Sequence, residues 1–434
     1  MALAPLLFDA LGGNLPVRVE MYDGSTAGPV DGVATLRVRS RQGLSRIITR
    51  PGELGVVRAY VSGDIDIDGD MLTMLEAGAA SDFDLRTVDR LALIRLLRET
   101  GLGVLRAPPP PPEEVRLSGG LHTRHRDRAA VSHHYDVSND FYRLVLGPSM
   151  IYSCAVWSDG ANTLEDAQTA KLDLVCRKLG LEPGMRLLDV GCGWGSMVIH
   201  AARAYGVDAV GVTLSVEQAE LARERVSDAG LADRIDIRVQ DYRDIEDGPF
   251  DAISSIGMFE HVGRNRMDEY VRALFGLVCD RGRLLNHAIS RPGCPQSDTL
   301  VGRGKAFARR LATATGSRVT SKIDSDLIER YVFPDGELHE VGVLVSMLQE
   351  SGFEVRHLES LREHYALTLR SWVRNLEHGW DAAVAEVGEG RARVWRLYMA
   401  ASAVNFELAG VSVEQVLAVK SSGGDSAMPL RPQF

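Results

Sequence analysis

From Arg186 to Gln218 the chain reads RLLDVGCGWGSMVIHAARAYGVDAVGVTLSVEQ: a buried strand, a glycine turn, a helix, a second strand and a second helix start. A strand ending in Asp-Val-Gly-Cys-Gly-Trp-Gly presents bare backbone to a nucleotide-like ligand. Gly191, Gly193 and Gly195 remove the side chains that would block that approach. Other residues could carry chemistry as well. Cys154 closes the run Ile-Tyr-Ser-Cys, and Glu260-His261 follows a predicted strand at the carboxyl edge, where open sheets place functional residues. His287 lies in the apolar run LLNHAI. Each has a plainer reading: Cys154 a small buried thiol, Glu260 half of an ion pair, His287 a core histidine, Tyr365 an aromatic strand residue.

The turn narrows the ligand. The dinucleotide spacing G-x-G-x-x-G is absent, because Ser196 stands where its third glycine belongs. The second strand ends in Val212-Thr213, without the carboxylate that usually holds a ribose diol. S-adenosylmethionine is therefore favoured over a nicotinamide. Ser215 and Gln218 form S-x-x-Q, a capping box for the next helix, and Gln218 has a second possible use as a cofactor partner.

The elements around the turn alternate strand and helix through RIDIRVQD, FDAISSIGMFEHV, a helix near Met267–Val278 and GRLLNHAIS. That alternation predicts an α/β fold with a mostly parallel, doubly wound sheet. FEVRHLESL and YALTLRSWV are strand or helix candidates, a mostly helical end closes the chain, and residues 291–330 read as an inserted excursion. Before the turn, VRVEMYDGS, GVATLRVRS and VVRAYVSGDIDI read as short strands, followed by helical MLTMLEAGAA and DRLALIRLLRETG. These predict a smaller α+β domain over 1–106. Five prolines, Pro108–Pro112, predict a semi-rigid linker over 107–120 ahead of a catalytic domain at 121–434.

Composition bounds the partners. A net charge of -10 disfavours a nucleic-acid binder. Arg116, Arg124, Arg126 and Arg128, and again Arg303, Lys305, Arg309 and Arg310, form basic clusters that suit either membrane phosphates or water. Cys154, Cys176, Cys192, Cys279 and Cys294 make no C-x-x-C pair, so we read reduced thiols in a cytoplasmic protein and no metal site. The N-terminus lacks a basic region and cleavage site, and no apolar run is long enough to span a bilayer.

The series HHYDVSNDFY, MIYSCAVW, LLDVGCGWG, VGVTLSVEQ, DYRD, IGMFEHVG, LNHAI, YVFPDGEL and EHYALTLRSW resembles the cyclopropane fatty acyl phospholipid synthase family. That family includes mycolic acid cyclopropane synthases and actinobacterial enzymes that make methyl-branched acyl chains. The resemblance implies a class I methyltransferase fold using S-adenosylmethionine. Tyr152 and Ser153 would contact its methionine end, Leu187–Gly195 with Asp189 would form the turn beneath it, Thr213 and Gln218 would hold the ribose, and Asp241, Tyr242 and Arg243 would flank the adenine. It also implies a bound bicarbonate ion held by Cys154, Glu260, His287 and Tyr365, with the backbone near Ile289 assisting. His133, His134 and Asp136 would organise the loop over the cofactor. A cysteine of the family's late helix aligns with Ser402, so a thiol there is not essential in this chain.

The implied reaction methylates an isolated cis double bond of a phospholipid acyl chain. The resulting carbocation needs a dry, aromatic site, for which Tyr135, Phe141, Tyr142, Trp157, Phe259 and Tyr365 are candidates. A methylene-branched product of the 10-methylene type and a cyclopropane both follow from the same cation. Transient contact with the inner membrane surface and a homodimer are further expectations, with the first domain serving docking or dimerisation. A small-molecule N-methyltransferase and a non-catalytic lipid-binding protein are the competing readings.

Overall fold

The computed structural model describes residues 2–11, 13, 15–80, 89–115, 138–158, 160–292, 325–334 and 336–434. The chain forms two compact units. The first comprises Met1–Arg116 together with Asp324–Pro334 and Leu376–Val404. It holds a four-stranded sheet of β1 (Arg18–Met21), β2 (Thr26–Ala27), β3 (Ala34–Val38) and β4 (Ile65–Gly69), in the order β2-β1-β3-β4. The expected strands at both ends of this stretch form, but VVRAYV lies in the helix Glu53–Val61. Its β-branched residues favour a strand, yet packing against the helix Arg41–Thr49 decides the conformation.

The proline run departs from its expected role. Pro111 is buried, and Arg46 Nη1 donates to the Pro109 carbonyl at 2.7 Å. Glu114 then accepts both Arg58 Nε and Nη2 at 2.7 Å, with Arg330 Nη1 at 3.1 Å. Residues 107–115 are thus packed into the first unit instead of forming a linker that joins neither core. Arginine partners remote in sequence hold them there.

The second unit carries a seven-stranded sheet: β5 (Arg186–Val190), β6 (Asp208–Thr213), β7 (Ile235–Val239), β8 (Phe250–Ile256), β9 (Val278–Ser290), β10 (Glu354–Ser360) and β11 (Ser412–Val419). Their order is β10-β11-β9-β8-β5-β6-β7. β5 through β9 pair in parallel, whereas β11 runs antiparallel between β9 and β10. The period of two along each strand splits the core between the two faces. Leu187, Ala209, Ile237, Ala252 and Leu285 pack on one face. Leu188, Val190, Val212, Ile253 and Leu284 pack on the other.

The end of the chain is mostly helical as expected, through Trp380–Val387 and Glu389–Glu407, but one strand follows these helices. β11 is a central strand, buried from Val413 to Val419. Burial on both faces removes the alternation that would have marked it. No described helix is long and apolar enough to cross a membrane.

Candidate active site

Strand register gathers the candidates at one edge. β9 pairs Ile256 with His287, level with the carboxyl end of β8. β11 sets Gln415 opposite His287 and Ser412 opposite Ser290. β10 sets Ser360 opposite Glu414, so Leu361 and the helix starting at Arg362 emerge there too. The glycine turn after β5 lies at this same edge, beside the point where strand order reverses.

At the turn, the Gly191 and Cys192 amides donate to the Val212 carbonyl at 2.9 and 3.0 Å. Gly191 has φ +83°, and a Cβ there would fall 2.3 Å from Met258 Cγ. Gly193 has φ +53°, and its missing Cβ would meet no atom within 4 Å, so that side of the turn is open to a ligand. The buried Asp189 carboxylate accepts Ser254 Oγ at 2.6 Å, and burial raises its pKa to about 6. Thr213 Oγ1 donates to Gln218 Oε1 at 2.9 Å, and Ser215 Oγ accepts the Gln218 amide at 3.2 Å. The expected capping box is therefore only half formed, because the Gln218 side chain turns to Thr213. Asp241 accepts Arg243 Nε at 2.8 Å and the Arg243 backbone amide at 3.0 Å.

Met150, at φ +53°, turns the chain into Ile151–Cys154. Ser153 Oγ accepts Lys171 Nζ at 3.0 Å. Lys171, from the helix Leu164–Leu179, is fully buried, and burial lowers its pKa to about 8. Cys154 Sγ points at the Ala155 and Leu361 carbonyls, 3.2 and 3.6 Å away. Burial pushes this thiol far above its ordinary range, which favours the protonated form. Leu361 also accepts the Tyr365 amide at 3.1 Å, which brings Cys154 and Tyr365 to one carbonyl. Tyr365 lies in a helix, unlike its plainer reading as a strand residue.

A continuous aromatic series links the turn to Tyr365. Trp194 lies 4.8 Å from Tyr142, which is 5.9 Å from Tyr152; Tyr152 is 5.3 Å from Trp372. Trp372 stands 6.0 Å from Tyr365, which is 4.6 Å from Phe406. Of the other expected aromatics, Phe141 packs on Tyr142, Phe259 on Tyr270, and the Trp157 indole donates to Thr368 at 3.2 Å.

Glu260 and His287 form the polar part of the site. Glu260 Oε1 accepts the Ile289 amide at 2.7 Å, so that amide serves the carboxylate. Oε2 is buried with no partner among the described residues, and burial raises the carboxyl pKa to about 7. His287 Nε2 is likewise buried and unpartnered among the described residues. Burial lowers its pKa to about 3, with Lys171 and Lys178 adding to the effect, so the ring is neutral. Sequence reasoning missed His339, which bridges Ser290 and lies 6.1 Å from the Phe259 ring. Its place directly after the YVFPDGEL run was the available signal. His133, His134, Tyr135 and Asp136, both basic clusters and Cys294 lie outside the described residues.

Seven strands in this order, with one antiparallel strand and a glycine turn ending the first, define the class I methyltransferase fold. Residues 122–416 match the family model described as mycolic acid cyclopropane synthetase, and the chain belongs to that family. It is thus an S-adenosylmethionine-dependent methyltransferase of the cyclopropane synthase type. A probable fatty acid methyltransferase of Mycobacterium tuberculosis is 43% identical over 431 residues, covering 97% of this chain and 95% of the relative. A tuberculostearic acid methyltransferase of the same species is 32% identical over 425 residues, covering 95% and 90%. Among solved structures, a mycolic acid cyclopropane synthase complexed with SAH and CTAB is 33% identical with a TM-score of 0.60, covering 68% of this chain and 98% of that one.

Proposed function

We propose that the chain methylates the cis double bond of an unsaturated phospholipid acyl chain, with bicarbonate as base. The observation that carries this reading is the pair of buried, unpaired polar atoms, Glu260 Oε2 and His287 Nε2, at the edge where the aromatic series begins. Such atoms suit a small oxyanion, which accepts from one group and exchanges a proton with the other.

S-adenosylmethionine supplies an electrophilic methyl group. Tyr152 and Ser153 hold its methionine end, Gly191–Gly195 admit it, Thr213 and Gln218 meet the ribose, and Asp241, Tyr242 and Arg243 border the adenine. Glu260, His287, Cys154 and Tyr365 would hold bicarbonate, which would accept the proton lost from the transferred methyl. An alkene has no acidic proton, so no side chain has to activate it. Aromatic faces near Tyr365 stabilise the cation formed on the chain, each by about 2 kcal/mol when desolvated.

Between the two products we favour the methylene branch, in line with the similarity to a tuberculostearic acid methyltransferase. The decisive experiment expresses the chain in a host rich in monounsaturated phospholipids. Its acyl chains should gain one methylene unit and then take up hydrogen; a gain that resists hydrogenation would identify a ring, and no gain would overturn the reading.

Docking on the bilayer is the companion proposal. The helix Arg90–Thr100 and the turn after it expose Leu91, Ile94, Leu102 and Leu105, with Arg95 and Arg98 also exposed. Apolar side chains interleaved with arginine suit an anionic phospholipid surface. Arg95→Glu with Arg98→Glu should abolish sedimentation with anionic vesicles at low salt; unchanged sedimentation would exclude this face.

A further inference from the structure

His287 Nδ1 stands 3.1 Å from Gln415 Nε2. The other end of that amide, Oε1, accepts Lys178 Nζ at 2.8 Å, and Lys178 is itself paired with Glu359. Lys178 and Gln415 are both 0% exposed and His287 is 2% exposed, so water does not compete for the lysine–glutamine and glutamine–histidine contacts. The series runs from β10 through a helix and β11 into β9.

Its polarity can be worked out from donor inventory alone. A lysine ammonium only donates, so the Gln415 atom facing Lys178 must be the carbonyl oxygen. The amide nitrogen then faces His287 and can only donate, which makes Nδ1 the acceptor. A neutral ring that accepts at Nδ1 carries its proton at Nε2. That Nε2 is the atom left without a partner among the described residues. A doubly protonated ring would set two donors against each other at Gln415, so the same contact resists imidazolium.

We infer that Gln415, oriented by Lys178, is a positioning residue that holds His287 as the Nε2–H tautomer and thereby presents one donor to a small oxyanion in the active site. The inference rests on the proposed function for the identity of that anion, taken to be bicarbonate. The tautomer itself does not depend on it. Without the lysine, the amide could turn over and the ring could carry its proton on either nitrogen.

The test uses the full chain labelled with nitrogen-15 histidine and free of ligands, with the His287 signals assigned by their loss in His287→Gln. The wild type should show a protonated Nε2 and a bare Nδ1. Gln415→Glu keeps an acceptor for Lys178 but offers only an acceptor to the ring, so the proton should move to Nδ1. Lys178→Met, which leaves Gln415 in place, should give both tautomers. A wild-type ring protonated at Nδ1, or an unchanged Nε2–H form in both variants, would overturn the inference. In turnover assays Gln415→Glu should raise the bicarbonate requirement on the order of tenfold to a hundredfold, as expected for losing one hydrogen bond to a charged group, with cofactor affinity unchanged. An unaltered requirement beside a switched tautomer would remove the positioning role. A wild type indifferent to bicarbonate would instead overturn the proposed function and leave the tautomer assignment intact.

Discussion

The glycine-turn side and the Glu260–His287 side of the carboxyl edge are built in opposite ways. On the first, Asp241 is engaged by Arg243, Asp189 by Ser254 and Thr213 by Gln218. On the second, Glu260 Oε2 and His287 Nε2 are buried without partners among the described residues. A satisfied cradle keeps its shape whether or not it is filled. An unsatisfied pair carries a desolvation cost of about 1–3 kcal/mol per group until something binds. The groups around the glycine turn are satisfied within the fold, whereas on the proposed reading Glu260 Oε2 and His287 Nε2 are satisfied by a small oxyanion.

The sharpest way to break this contrast is Glu260→Gln. Turnover should fall on the order of a hundredfold to ten thousandfold, while calorimetry finds cofactor affinity unchanged. Equal losses in both would join the two sides into one. Gly191→Ala strikes the opposite side. A Cβ 2.3 Å from Met258 Cγ at φ +83° should lower stability by about 1–3 kcal/mol and weaken the cofactor before turnover of the bound form. Full affinity and unchanged melting would show that the turn is not the cradle.

The unpaired groups also leave a signature in acid. An unfolded chain protonates His287 near 6.5, but the folded chain resists until about 3. Stability contributed by the neutral ring is therefore present above pH 6.5 and lost as pH falls toward 3. His287→Gln should make that acid limb shallower in denaturant titrations, the remainder coming from other groups with lowered pKa values, among them His261, which burial lowers to about 4. Glu260 has the reverse sign: its pKa rises from 4.5 to about 7, so its contribution is lost as pH rises through that window. Glu260→Gln should remove that decline. The smallest change is expected for Cys154→Ser, because a protonated thiol is replaced by another donor. Turnover should stay within about tenfold of wild type, whereas complete loss would show that the thiol does more than donate one hydrogen bond.

Legibility in the sequence followed locality. The glycine turn, the parallel strands around it and the helix near Met267 rest on local pattern, and all three form as expected. Ser412–Val419 did not announce itself, since a strand covered on both faces shows no alternation. The proline run read as a semi-rigid linker because Arg46, Arg58 and Arg330, which hold it and the residues after it, are remote in sequence. Lys178 sits in a helix whose charges look solvated, yet it is fully buried. Glu260 could be placed from the carboxyl-edge rule, whereas His287 needed the family resemblance to distinguish it from a core histidine. Gln415 carried no local signal at all, because its meaning depends on pairing across two strands.

The antiparallel insertion of β11 has a consequence for biosynthesis. A chain made from its N-terminus exposes the free edge of β9 until residues 412–419 emerge, and β10 has no other partner in the sheet. An unpaired buried-type edge is prone to adhesion between nascent chains. Until β11 is made, that edge should favour such adhesion, and His287 lacks Gln415 beside it for the same interval.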